Sequence, residues 1–241
     1  MSSNADPPPP VRLELDAGVA VVRLNRPPLN IYDLDMRDAL IEAFTAVRDM
    51  PAARCLVLAA EGPHFSAGAD LHEFGSAESV FEGRRIRWRR DPWGPLLEMD
   101  KPSVAALHGY ALGAGLEMAL LCDIRVAAPD TVVGLPETKL GMLPSAGGSQ
   151  TLTRAVGRAR ALPAVLLGDN LEAAEALRTG VVHQVVDDVD GVAIRLARRL
   201  AELEPAVVAA AKRALRAASD LPLDAGLEAE AGLASALRRR G

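Results

Sequence analysis

Aromatic residues and cysteines are scarce in this chain, and each shortage argues against a class of function. Phe, Trp and Tyr make up 3% of the 241 residues, which argues against the aromatic stacking surfaces that bind single-stranded nucleic acids. The two cysteines, Cys55 and Cys122, lie in apolar runs, and we predict that both are small buried side chains. The sequence has no CxxC motif or Cys/His cluster, so we predict no metal site.

The chain also lacks an excess of positive charge and a long apolar run. It has 27 Lys and Arg against 32 Asp and Glu, a formal net charge of −5, so it has no general attraction for phosphate backbones or anionic membranes. The N-terminal residues lack the basic patch and apolar run of a signal peptide. No apolar stretch reaches membrane-spanning length. We therefore expect a cytoplasmic protein with no membrane partner.

What the sequence does contain is a mixed pattern of strands and helices. Hydrophobic residues make up 49% of it, enough for a core built from Ala, Val and Leu. Alternating apolar and polar residues predict a hairpin from strands 11–16 and 19–24, followed by an amphipathic helix over 33–50. Short apolar runs predict further strands at 55–60, 103–107, 124–128, 131–134 and 181–186. Between them we predict a helix over 113–121 and helices that begin at Ser145, Arg158 and Glu172.

Three regions are predicted along the chain. Residues 1–10 form a disordered tail, because its run of prolines cannot join a sheet. Residues 11–190 form a mixed α/β core, and residues 191–241 form a helical subdomain. In that subdomain we predict helices over 192–203, 206–218 and 223–237, with Pro205 and Pro222 at helix starts.

The first candidate site segment is Phe65-Ser66-Ala67-Gly68-Ala69-Asp70-Leu71, directly after a predicted buried strand. Its small side chains leave backbone N–H groups accessible, which is how a protein binds an anion without basic residues. The same pattern is also typical of an ordinary turn between a strand and a helix.

The second segment is His108-Gly109-Tyr110-Ala111-Leu112-Gly113-Ala114-Gly115-Leu116-Glu117. Residue 118 is Met, so the third glycine of a dinucleotide-binding GxGxxG motif is missing. If a helix begins near Gly113, the Ala114 N–H is one of its free amides, and Glu117 shares that face of the helix.

The third segment is Gly134-Leu135-Pro136-Glu137-Thr138-Lys139-Leu140-Gly141. Apolar neighbours surround Glu137, and a buried carboxyl group beside a second one has a raised pKa. One glutamate could then hold a proton while the other acts as a base. The alternatives are that Glu137 caps a helix or pairs with Lys139.

The three segments in this order resemble the crotonase, or enoyl-CoA hydratase/isomerase, family. They are followed by Gly141-Met142-Leu143-Pro144-Ser145-Ala146-Gly147-Gly148-Ser149-Gln150 and preceded by Asn25-Arg26-Pro27-Pro28-Leu29-Asn30, which also match that family. The resemblance covers residues 11–186. It implies an α/β fold, a crotonase-like spiral of ββα units with a C-terminal helical oligomerisation region, and a homotrimer or dimer of trimers.

The resemblance also implies the site and its chemistry. The N–H groups of Ala69 and Ala114 form an oxyanion hole for a thioester carbonyl. Glu117 and Glu137 hold a water molecule that adds to the 2,3 double bond of an enoyl-CoA, and no cofactor is required besides the coenzyme A of the substrate. The substrate-binding residues implied are Ala67, Ala69, Asp70, Leu71, His72 and Gly113.

Other functions stay open at this point. Another reaction of the family is one alternative: an isomerase, a hydratase of cyclic or dienoyl-CoA, or a hydrolase. The arginine-rich residues 84–90 could be a solvated helix face, a site for CoA phosphates, or an RNA contact in a non-catalytic member. His64, His108 and His183 show no metal-binding spacing, and we predict that they are structural.

Overall fold

The computed structural model describes residues 8–73 and 91–239. The strands are β1 (Val11–Asp16), β2 (Val19–Leu24), β3 (Cys55–Ala60), β4 (Ser103–Leu107), β5 (Tyr110–Leu112), β6 (Ile124–Ala127), β7 (Val132–Gly134), β8 (Leu171–Glu172) and β9 (Gln184–Val185). The helices are α1 (Leu34–Asp49), α2 (Trp93–Glu98), α3 (Ala114–Leu121), α4 (Gly148–Val156), α5 (Arg158–Leu167), α6 (Ala173–Thr179), α7 (Val189–Ala201), α8 (Pro205–Asp220) and α9 (Leu223–Arg238), with a 3₁₀ helix at Pro136–Leu140.

The strands form two sheets. The larger has the order β1-β2-β3-β4-β6-β9, and the smaller has the order β5-β7-β8. The hairpin β1–β2 is antiparallel, as predicted, and from β2 to β9 each neighbouring pair of the larger sheet is parallel. Because the carboxyl ends of parallel strands meet at one edge, the loops that follow β3 and β4 lie close together.

The larger sheet is covered on both faces, which explains the unbroken apolar run of β3. On one side α1 contributes Met36, Leu40 and Phe44 to the main core cluster. On the other side α7 packs Ala193, Ala197 and Ala201 against alternate residues of β3 and β4. Their small side chains leave the α7 backbone close to the strands, which suits a core with few aromatic residues.

The predicted elements are present, and three of them begin three residues away from the predicted position, among them α7, which begins at Val189 rather than at residue 192. The predicted strand 181–186 is reduced to β9, because Val181 and Val182 are buried in the core outside the sheet ladder. The helix predicted from Ser145 begins at Gly148. The short elements β5, β8 and α2 were not predicted, since strands of two or three residues have no recognisable period.

The two cysteines are buried, as predicted. Burial raises the pKa of the Cys55 and Cys122 thiols to about 12 each. Both side chains therefore stay protonated and unreactive at neutral pH.

The C-terminal helices lie on the outside of the core. The Lys212 ammonium group of α8 donates to the Lys101 carbonyl (2.8 Å) and to Asp123 Oδ2 (2.6 Å). Helix α9 has no buried residue among those described. The division of the chain at residue 190 stays a prediction.

At the other end of the chain, the backbone N–H and the side-chain amide of Asn25 donate to the carbonyl groups of Pro10 and Pro9 (2.7 and 2.8 Å). The rest of the predicted disordered tail, residues 1–7, lies outside the described residues. No helix in residues 8–73 and 91–239 is long and apolar enough to span a membrane.

Candidate active site

The first two candidate segments lie side by side. Ser66 and Ala111 form a parallel bridge, in which the Ser66 N–H donates to the Tyr110 carbonyl (2.8 Å) and the Leu112 N–H donates to the Ser66 carbonyl (3.0 Å). The loop after β3 is therefore hydrogen-bonded to the strand after β4. This contact brings residues 66–69 next to the start of α3.

The backbone around Ala69 is held on one side by Tyr32. The Gly68 carbonyl accepts the Tyr32 N–H (2.9 Å), and the Asp70 N–H donates to the Tyr32 carbonyl (3.3 Å). In a trans peptide the C=O and N–H groups point in opposite directions. The Ala69 N–H therefore points away from Tyr32, and it meets no hydrogen-bond acceptor in the part of the chain that is described.

Gly113 and Ala114 form the second amide position. Gly113 has a φ of 51° and ψ of −124°, and its N–H donates to the Gly134 carbonyl (2.9 Å). Ala114 is the first residue of α3, so its N–H has no intrahelical acceptor. A Cβ atom on Gly68 would lie 3.7 Å from the Ala114 nitrogen. A side chain on residue 68 would therefore occupy space beside the Ala114 N–H.

Glu117 lies in the first turn of α3 and is 3% exposed. Its Oε1 accepts the Ala146 N–H (2.9 Å) and the Gly148 N–H (2.8 Å). These two donors stabilise a negative charge on the carboxylate and fix its orientation. Both donors lie in residues 146–148. The helix predicted from Ser145 would have included these residues, but α4 begins only at Gly148.

Glu137 belongs to the 3₁₀ helix and faces Gly113. Its Oε1 would lie 3.0 Å from a Cβ atom on Gly113. Its Oε2 is buried and has no hydrogen-bond partner among the described residues. Burial raises the pKa of this carboxyl group, which is the predicted direction. The prediction also named a charge on Glu117 as a cause, and that charge does not contribute to the shift. Lys139 pairs instead with Asp169 (2.8 Å), so the alternative ion pair does not form.

Gly113 is the point on which these groups converge. Its N–H donates to the carbonyl of Gly134, the last residue of β7, which precedes Glu137 in the chain. Its carbonyl accepts the Glu117 N–H (2.9 Å), and Ala114 is the next residue. The missing side chain leaves the space beside Glu137 Oε1 open. The remaining candidate residues extend outward along one segment: Ala67, Ala69 and Asp70 are half-buried, while Leu71 and His72 are exposed.

Several residues that build this region were not predicted to do so. Asn30, Ser66, Ala146 and Gly148 hold the segments in place through hydrogen bonds between residues far apart in sequence. Only the small side chains of residues 66–69 and 146–148 signalled such close backbone packing. The arginine-rich residues 84–90 lie outside the described residues.

The histidines other than His72 have structural partners. The His64 ring stacks on Tyr110, His108 Nε2 bonds the Gly62 carbonyl (3.0 Å), and His183 Nδ1 accepts the Arg125 N–H (3.0 Å). In the described ranges no group of three or more His, Cys, Asp or Glu residues could hold a metal ion.

A buried glutamate, a second carboxyl group of raised pKa and two amide positions lie around Gly113, an arrangement that can support acid/base chemistry. Known proteins agree with this class. The family model described as Enoyl-CoA hydratase/isomerase matches residues 14–240, and the chain belongs to this enzyme family.

Individual relatives fall in the same family. The chain is 38% identical over 215 residues to the 2,3-dehydroadipyl-CoA hydratase of Escherichia coli, covering 88% of this chain and 84% of the relative. It is 36% identical over 220 residues to a probable enoyl-CoA hydratase of Mycobacterium bovis, covering 90% and 85%. A crystal structure of an enoyl-CoA hydratase subunit from Geobacillus kaustophilus superposes with a TM-score of 0.89 at 33% identity, covering 95% of this chain and 90% of the other. The predicted family and fold class are confirmed.

Proposed function

We propose that this protein is an enoyl-CoA hydratase that adds water across the 2,3 double bond of an acyl-CoA thioester. The observation that carries the proposal is the placing of two glutamates about Gly113. Oε1 of Glu117 is held by two amides, and Oε2 of Glu137 is buried without a hydrogen-bond partner among the described residues. Hydration needs one group to take a proton from water and another to give a proton to the substrate, whereas moving a double bond needs only one shuttling base.

The proton transfers follow from the different surroundings of the two carboxyl groups. Glu117, as a carboxylate, takes one proton from a water molecule while the water oxygen attacks Cβ of the enoyl-CoA. Glu137, whose pKa burial raises, is the group suited to carry a proton, which it gives to Cα. Glu117 ends protonated and Glu137 ionised, and exchange with solvent restores both.

The Ala69 and Ala114 N–H groups are proposed to bind the thioester oxygen. Attack at Cβ moves electrons through the double bond into the carbonyl group, so negative charge develops on that oxygen before Cα is protonated. Two amides fixed in place stabilise this enolate without reorganising. The support is their position on adjacent segments, with no acceptor for the Ala69 N–H among the residues described.

The substrate's CoA portion is proposed to run along residues 67–72. Ala67 and Asp70 are half-buried, and the segment reaches the surface at Leu71 and His72, so a long ligand can enter from solvent there. The glutamate pair supplies both proton transfers, so we propose that no cofactor takes part.

A screen of CoA thioesters tests the proposal. Purified protein is mixed with crotonyl-CoA, longer and dicarboxylic 2-enoyl-CoAs, a 3-enoyl-CoA and a cyclic dienoyl-CoA, and the conjugated thioester absorbance is recorded. Hydration of a 2-enoyl-CoA removes this band, whereas isomerisation of the 3-enoyl-CoA creates it. Loss of the band with formation of a 3-hydroxyacyl-CoA supports hydration. A protein inert toward every 2-enoyl-CoA but active on the 3-enoyl thioester would be an isomerase instead.

The protein is also proposed to assemble as a trimer or dimer of trimers. Large apolar side chains are exposed on α5, α8 and α9, including Leu166 at 66% and Leu223 at 79%. Such surface is costly in water and is commonly covered by another subunit. Light scattering of the purified protein measures the assembly mass, and a monomer mass at micromolar concentration would exclude it.

A further inference from the structure

A buried relay of hydrogen bonds runs from Asn30 to the candidate amide of Ala69. Asn30 is 1% exposed and adopts a left-handed φ of 45°, a conformation that asparagine tolerates better than most residues. Its N–H donates to the Arg26 carbonyl (2.9 Å), and its Oδ1 accepts the Arg26 N–H (2.8 Å). Its Nδ2 donates to the carbonyl groups of Glu61 (2.9 Å) and His64 (2.8 Å).

The carbonyl group of Asn30 completes this set by accepting the Ser66 hydroxyl proton at 2.8 Å. All the hydrogen-bonding groups of Asn30 are therefore engaged, and the position of its carbonyl oxygen is fixed from several directions. A hydroxyl has one proton, so donation to Asn30 leaves Ser66 Oγ with lone pairs that point elsewhere.

Ser66 Oγ uses a lone pair to accept the Gly68 N–H at 3.2 Å. Gly68 has a φ of 101°, in the region that favours glycine. With its N–H held by Ser66 and its carbonyl held by the Tyr32 N–H (2.9 Å), both peptide groups of Gly68 are restrained. The second of these peptides carries the Ala69 N–H.

We propose that Ser66 is a positioning residue, whose hydroxyl group, oriented by the Asn30 carbonyl, aims the Ala69 N–H at the thioester oxygen. This inference rests on the proposed function of the site. Ser66 touches no reacting atom itself. It is fully buried beneath the segment and packs against Gly115 of α3, where a Cβ atom would lie 2.8 Å from Ser66 Cβ.

The relay explains why a polar side chain is buried at position 66. An alanine there would fill nearly the same space, but it would leave the Gly68 N–H and the Asn30 carbonyl without their partner. Serine at this position therefore fixes the orientation of the peptides that follow it. A fixed orientation matters most for the Ala69 N–H, which must be in place before negative charge develops on the thioester oxygen.

The test compares Ser66→Ala with Ser103→Ala. Ser103 is also fully buried, and its hydroxyl likewise makes two hydrogen bonds, donating to Asp123 Oδ2 (3.0 Å) and accepting the Asp123 N–H (3.1 Å). It lies in β4, outside the candidate site. Both variants lose the same kind of interaction, so a comparable loss of thermal stability is expected.

Only Ser66→Ala should lower kcat, by about tenfold with KM changed less than about twofold, because complete loss of an oxyanion donor costs roughly 10²–10³. A Ser66→Cys variant keeps a weak hydrogen-bonding group of similar size and should retain an intermediate rate. If Ser66→Ala does not fold, the cysteine variant carries the test.

A second measurement separates this inference from the hydratase proposal. The infrared stretch of a carbon-13-labelled butanoyl-CoA carbonyl reports polarisation of the bound thioester without any hydration. Wild-type protein should lower its frequency, and Ser66→Ala should reduce that shift while Ser103→Ala should not. If the wild-type protein lowers the carbonyl frequency but turns over no enoyl-CoA, the hydratase proposal is wrong and the positioning role of Ser66 is not contradicted. A Ser66→Ala protein with wild-type kcat and carbonyl shift overturns the positioning role.

Discussion

Glu137 combines a proposed role in proton transfer with a pKa that burial raises. Glu137→Gln keeps the shape of the side chain but removes its transferable proton. We expect kcat to fall by roughly 10²–10⁴-fold, the usual effect of losing one acid/base group. Steady-state kinetics with the best substrate of the screen measure it. Glu14→Gln, an exposed residue of β1, is the matched control and should keep the wild-type rate. Full activity in Glu137→Gln would contradict the assigned role.

The raised pKa of Glu137 also predicts how stability depends on pH. Burial penalises the ionised form, so the folded-state pKa lies above that of the unfolded chain. Below both values the group is protonated in either state and imposes no penalty. As the pH rises through the folded-state value, the folded protein must ionise this half-buried carboxyl group and loses stability.

Glu137→Gln should therefore gain thermal stability relative to wild type between acidic and neutral pH. Unfolding temperatures of both proteins, measured by circular dichroism from pH 4 to pH 8, test this expectation. A difference between the two proteins that does not change with pH would indicate that the carboxyl group is not desolvated.

At the scale of elements, the start of α4 holds Glu117 in place. A Cβ atom on Gly148 would lie 2.8 Å from Glu117 Oε1 and 3.0 Å from Leu135 Cδ1. Gly148→Ala should therefore displace the carboxylate, and a displacement of about 1 Å can cost roughly 10²-fold in rate. We expect a loss of kcat of that order by steady-state kinetics.

Gly226→Ala is the control for that change. A Cβ atom on Gly226, inside α9, meets nothing within 4 Å. The variant should keep its activity and gain up to about 1 kcal/mol of stability from the better helix propensity of alanine. Equal activity of Gly148→Ala and Gly226→Ala would show that the α4 start does not position Glu117.

The elements also show what sequence could and could not predict. The hairpin and α1 follow from local periodicity, and β3 follows from its continuous apolar run, because these patterns lie within each element's own residues. The start of α4 does not, because two amides before and at Gly148 bind a glutamate about thirty positions earlier. Val181 and Val182 were assigned to a strand because an apolar pattern reports burial but not pairing.

The candidate site divides in the same way. Glu117, Glu137 and the glycines beside them could be chosen from residue type and from the resemblance. The Asn30–Ser66 relay could not, because it depends on a carbonyl group and on a left-handed φ that the sequence does not display. Backbone hydrogen bonds over long separations are the part of the site that requires the fold.

At the scale of the whole molecule, Lys212 joins the C-terminal helices to the core. Its side chain is 7% exposed and is paired with Asp123. Lys212→Met would remove the hydrogen bonds to the Lys101 carbonyl and to Asp123 Oδ2, and a hydrogen bond to a charged group contributes about 1.5–3 kcal/mol. We expect a lower denaturant midpoint and faster proteolytic cleavage in residues 202–222.

Arg178→Met provides the comparison for an exposed ion pair. Arg178 pairs with Glu175 on the surface of α6, with 70% of its side chain exposed. Such pairs contribute less than about 1 kcal/mol. If both variants unfold at the wild-type denaturant concentration, Lys212 does not secure α8.

The two carboxyl groups are carried by separate pieces of the chain. Ala114 and Glu117 share α3, whereas Glu137 lies on a 3₁₀ helix that reaches them through Gly113. Under the proposed function, a change confined to residues 136–140 could therefore alter which proton is delivered while leaving the two proposed amide donors unchanged. In the proposed mechanism, a duplicated gene could therefore acquire a different reaction on a CoA ester through substitutions in residues 136–140 while keeping the residues that bind the ester.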